Sequence, residues 1–156
     1  MGWQEYYARR TALDTVVAGG LRVPAGFAGE DEVLLALHHR WSLRLAGRVE
    51  LAVTDVERDP GTDPVDAVGE AWRDAAEDNA DLRRLLDEHA EHAALREATK
   101  AEQALLARAA GLTDPADDAD EQAAVGAAFL ALLRTGTRQT ARRNPVERLL
   151  RRLASA

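Results

Sequence analysis

The chain reads as all-α: a single-domain bundle of about six helices followed by a short C-terminal amphipathic helix. Three observations predict it. Apolar residues recur every three to four positions through most of the 156 residues, the spacing of one helical face. The composition is 46% hydrophobic but only 4% aromatic, so the core is built of Leu, Val and Ala, which favour helix. Capping residues, Gly and Pro fall between the periodic stretches rather than within them.

The first helix is expected over 2–18, with Trp3, Tyr6, Leu13 and Val17 near one face, and it stops at Gly19-Gly20. Residues 21–29, with Pro24 and Gly26, form a loop. The second helix opens on Glu30, Asp31 and Glu32, acids that complement the positive end of a helix. Its stripe runs through Leu34, Leu37, His38, Trp41, Leu45, Ala52 and Val56, roughly 40 Å if unbroken. The valines of 49–56 continue that stripe and do not form a strand. Asp59-Pro60-Gly61 ends it, and Asp63 with Pro64 caps and starts the third helix, which buries Val65, Val68, Trp72 and Ala76.

Asn79 stands where a cap for the fourth helix belongs. There Leu82, Leu85, Leu86, His89 and Ala93 share one face, whereas Leu95, Ala98, Leu105 and Ala109 fall on roughly the opposite one. A straight helix buries only one of these sets, so a break is predicted between Glu91 and Leu95, with a fifth helix running to Gly111. After a polar loop around 113–118, residues 123–133 are apolar all round and rich in small side chains. Such a helix must be buried on all sides, by its own core or by a second copy in a homodimer.

The net charge of −7 conceals an asymmetry. From Arg134 onward seven arginines face Glu147 alone, a surplus of +6, which leaves −13 on the rest. The chain therefore divides into an acidic helical body, 1–134, and a basic tail, 135–156. Within the tail Asn144, Pro145 and Glu147 form a helix start, and Val146, Leu149, Leu150 and Leu153 follow at i, i+3, i+4, i+7. Arg142, Arg143, Arg148, Arg151 and Arg152 surround that stripe, making a basic amphipathic helix suited to docking a protein partner. Alone it falls below the roughly 12–15 residues needed for even marginal helicity, so it needs a surface to fold against.

An acidic body repels phosphate, so DNA is a disfavoured partner. There is no cysteine, which excludes a disulfide framework, a thiolate zinc site and a thiol nucleophile. No apolar run reaches the roughly 20 residues of a membrane span, and the first residues lack the order of a signal peptide, so the cytoplasm is the expected location.

Few residues carry recognisable chemistry. Glu88, His89, Glu91 and His92 could present two metal ligands from one helical face, the basis of an alternative reading as a metal-dependent enzyme; a solvated polar face outweighs it. His38 lies on an apolar stripe and is expected to be a core histidine satisfied by a hydrogen bond. Tyr6, His38, Trp41, Trp72 and His89 together have the make-up of a pocket for a small apolar ligand, set against simple core packing. Ser42 and Ser155 lack a nucleophile elbow, no Gly-rich phosphate loop is present, and no cofactor is implied.

The stretch Phe27-Ala28-Gly29-Glu30-Asp31-Glu32-Val33-Leu34-Leu35-Ala36 resembles the entry into the long linking helix of TetR-type transcriptional regulators. The downstream order is also similar: a Pro-initiated helix at Asp63-Pro64, a broken middle helix, and a small-residue helix over 123–133 where that family dimerises. The resemblance implies a helical effector-binding and dimerisation body. Glu30 replaces the family's lysine, and residues 1–26 are too short for its helix-turn-helix head, so DNA reading does not carry over. The expected function is a noncatalytic binding or interaction protein, a homo-oligomer that docks a partner through its C-terminal helix.

Overall fold

A computed structural model describes residues 2–136, and all regular structure among them is helical. Six α-helices follow one another: α1 (Trp3–Gly19), α2 (Glu30–Arg58), α3 (Pro64–Asp78), α4 (Ala80–Glu88), α5 (Arg96–Ala109) and α6 (Ala119–Thr135), with a 3-10 turn at Ala93–Leu95 before α5. The predicted all-α bundle is the fold. The basic linker and the amphipathic segment with Arg142, Arg143, Val146, Arg148, Leu149, Leu150, Arg151, Arg152 and Leu153 lie outside the described residues. None of the described helices is long and apolar enough to cross a membrane.

The 29-residue α2 is the spine. Its Val33, Leu34, Leu37, Trp41, Leu45 and Val49 are buried against the other helices. Arg9 fastens α1 to its start: the guanidinium pairs with Glu32 at 2.6 Å, donates to the Gly26 carbonyl at 3.1 Å and covers the buried Phe27 ring at 4.1 Å. Glu32 also accepts the Ala28 N–H at 2.6 Å; that bond and Arg9 together hold its carboxyl below the usual range.

Asp63 caps α3 as expected, its side chain accepting the Val65 N–H at 2.8 Å with Pro64 in the first turn. Asn79 does not cap α4. Its amide instead donates back to the Ala75 carbonyl at 2.8 Å, closing α3, and its side-chain oxygen accepts from the Arg44 guanidinium. The predicted break is present: α4 ends at Glu88, and His92 accepts the Ala94 N–H at 3.2 Å to start the 3-10 turn.

Two expectations need correction. Trp3 and Tyr6 do not join a buried face of α1; they are 78% and 51% exposed and meet each other and Tyr7 in an exposed aromatic trio, while Leu13 and Val16 are the buried residues of α1. And the body of a single chain does not bury α6 on all sides. Gln122, Ala123, Gly126, Phe129 and Leu130 face the body, while Ala124, Val125, Ala128, Ala131 and Leu132 face outward. The pairing of α5 with α6 is close. A Cβ built on Gly126 would stand 1.8 Å from the Gln103 carbonyl oxygen, so only glycine permits this approach.

Candidate functional site

The distinctive feature of the interior is a chain of polar and aromatic side chains drawn from α2 to α6. Trp41 of α2 donates its indole N–H to Glu102 of α5 at 2.6 Å. The other oxygen of Glu102 faces Nε2 of His38 at 3.7 Å, an electrostatic contact too long for a hydrogen bond. One helical turn on, Ser42 Oγ lies 3.1 Å from His38 Nδ1. Arg83 of α4 brings its guanidinium to 3.7 Å from Glu102 and 4.8 Å from the Trp41 ring centroid. Asp87 then bridges Arg83 and Arg134 of α6, each at 2.9 Å.

The aromatic rings close this chain into a loop. Trp41 and Trp72 meet edge to face with centroids 6.3 Å apart, and Arg134 covers Trp72 at 5.4 Å. Each tryptophan thus carries one guanidinium on its face, and a single carboxylate, Asp87, ties the two guanidinia together. The electron-rich ring faces offset part of the cost of burying Arg83.

Glu102 is the centre of charge. It is 8% exposed, and burial by itself would push its carboxyl up. His38, the Arg83 charge and the Trp41 indole outweigh burial and hold it below its ordinary value, so it stays a carboxylate. Sequence periodicity contained the signal for this residue. Glu102 falls seven positions after Leu95 and three before Leu105, on the very stripe expected to be buried, where a charged side chain has to find partners.

Ser42, His38 and Glu102 have the order of a nucleophile, base and carboxylate relay. They lack what acyl transfer needs beyond it. Ser42 sits inside α2, where the backbone N–H groups are committed to the helix, so none is free to hold an oxyanion. His38 Nε2, Arg83 Nη1 and Trp72 Nε1 are buried and make no hydrogen bond among the described residues. The arrangement is a buried charge network that joins α2, α4 and α5.

The five residues expected to line a ligand pocket are therefore not one site. His38, Trp41 and Trp72 are together and fill the interior themselves. Tyr6 belongs to the exposed aromatic trio of α1, and His89 ends α4 by donating from Nδ1 to the Leu85 carbonyl at 2.9 Å. His92 is likewise occupied locally, by Ala94 and by Asp31 at 3.5 Å. Among the described residues no group of three or more His, Asp or Glu side chains is placed to hold a metal.

Openings lie elsewhere. An open cleft of about 690 Å³ runs between the C-terminal half of α2 and the end of α5, walled by residues such as Ala46, Val53, Leu105 and Ala109. A smaller hollow, about 240 Å³, lies beside Glu91, His92, Arg96 and Lys100. Comparison with family models, with curated protein sequences and with solved structures returns no match, so the reading of these surfaces rests on their chemistry.

Proposed function

We propose that the chain is a noncatalytic helical interaction protein that pairs with a second copy through α6 and offers its basic C-terminal segment to a partner. One observation carries the pairing. Between Glu121 and Arg134 the helix has no charged residue, yet it turns Ala124, Val125, Ala128, Ala131 and Leu132 outward, with Leu132 70% exposed. Their spacing repeats every three to four residues in a single line, the narrow seam of a helix pair, and the alanines let two backbones approach.

A second copy fits this face better than an unrelated protein. In an antiparallel pair the Arg134 end of one helix lies beside the Asp120 and Glu121 end of the other, and the helix dipoles oppose. The same patch on both copies closes the contact without leaving a face open. The network at Glu102 serves this reading as scaffold: it fixes α5, onto which α6 is packed through Gly126. The resemblance of 123–133 to a family dimerisation helix points the same way.

Light scattering on the full chain tests it. A mass near twice 16.9 kDa is expected, falling to one copy in Leu132→Glu combined with Val125→Glu while helicity by circular dichroism is retained. A monomeric unmodified protein at high concentration would remove the proposal.

A further inference from the structure

We infer that the cleft between α2 and α5 is the docking site of this chain's own residues 144–153, so that the basic tail rests on its own body until a partner competes for it. Three independent features converge on that occupant. The first is shape and polarity. The cleft is a groove between two helices with apolar walls at Ala46, Val53, Leu105 and Ala109, the setting in which an amphipathic helix lays down its apolar face. Val146, Leu149, Leu150 and Leu153 supply such a face, and the segment is too short to be helical without a surface.

The second is charge. Glu50 and Glu57 border the cleft on α2, two turns apart, about 10 Å along the axis. Arg152 flanks the apolar face of the segment, and Arg148 lies one turn before it on a long flexible stem. The basic group at the cleft, Arg108, is turned to other work: its guanidinium donates to the Gln122 side chain at 2.7 Å. An arginine-rich helix therefore meets two acids that make no ion pair among the described residues, in a body, 1–134, that carries −12 overall.

The third is reach. Gly136, the last described residue, follows α6, and α6 packs against α5, the helix that walls the cleft. Residues 137–143, which join it to the amphipathic stretch at Asn144, can extend up to about 24 Å. The inference stands whether or not copies pair through α6. It also defines what an external partner must present in order to win the tail: an apolar groove with a carboxylate rim.

The absence of native cysteine gives a direct test on the full chain. In Thr54→Cys with Leu150→Cys, mild oxidation is expected to form an intrachain disulfide on the order of tenfold faster than in Leu43→Cys with Leu150→Cys, because docking raises the local thiol concentration at Thr54 alone. Leu43 is an exposed α2 residue outside the cleft. Adding Arg148→Glu and Arg152→Glu is expected to abolish that advantage. Equal rates in the two pairs, or a disulfide that forms only between copies, would overturn docking on the same chain.

Discussion

The indole N–H of Trp41 donates to the carboxylate of Glu102 at 2.6 Å, joining α2 to α5 across 61 residues of sequence inside a largely aliphatic core. The pair matters because each partner is costly to bury alone. Trp41 is fully buried and its N–H needs an acceptor; Glu102 needs a donor, which the indole supplies, and positive charge, which Arg83 brings to within 3.7 Å.

Replacing Glu102 by Gln is expected to cost about 1–2 kcal/mol in chemical denaturation, since Arg83 keeps Asp87 at 2.9 Å but loses the charge of its second carboxylate at 3.7 Å, while an acceptor for Trp41 remains. Glu102→Leu is expected to cost about 1–3 kcal/mol more, the price of an orphaned indole N–H. A Leu variant as stable as the Gln variant would show that the Trp41 bond contributes nothing.

The same carboxylate sets an acid limit. Its folded-state pKa lies below its ordinary value of 4.5, so it adds stability that is complete above that value and is lost as pH falls through the folded value. Unfolding free energy measured below pH 4.5 is expected to drop more steeply in the unmodified protein than in Glu102→Gln. Parallel slopes would assign acid sensitivity to other carboxylates.

Glycine has opposite meanings at two helical positions. Gly126→Ala drives a Cβ into the Gln103 backbone and is expected to cost at least about 1–3 kcal/mol, with Gly126→Leu failing to fold. Gly47 has nothing within 4 Å of an added Cβ and lies mid-helix, so Gly47→Ala is expected to gain about 0.5–1 kcal/mol. Thermal melts of both alanine variants decide it: midpoints shifting in the same direction would refute the contrast.

Asp63→Ala removes the side-chain acceptor of the Val65 N–H and is expected to lower stability by about 1 kcal/mol, read as a shift in the denaturation midpoint. Asp63→Asn is expected to retain most of it, because a carbonyl oxygen remains for the same bond.

Local chemistry by itself determined the helices and several of their ends. Pro64 presets its own backbone and Asp63 satisfies a free N–H two residues on, so the start of α3 follows from neighbours in sequence; so does a break between Glu91 and Leu95, where the apolar stripe changes sides, although α4 already ends at Glu88 and Asn79 does not cap it. Tertiary structure decided what cannot be computed from neighbours. Periodicity places Glu102 on a buried stripe, but whether it meets Arg83, His38 and Trp41 depends on how three helices cross. Likewise the uncharged run of α6 demands cover, yet which side the body supplies and which it leaves open was settled by Gly126, whose missing Cβ lets α5 take one face and no more. Capping and periodicity are short-range forces; pairing of buried charge and close backbone approach act between segments that only the folded chain brings together.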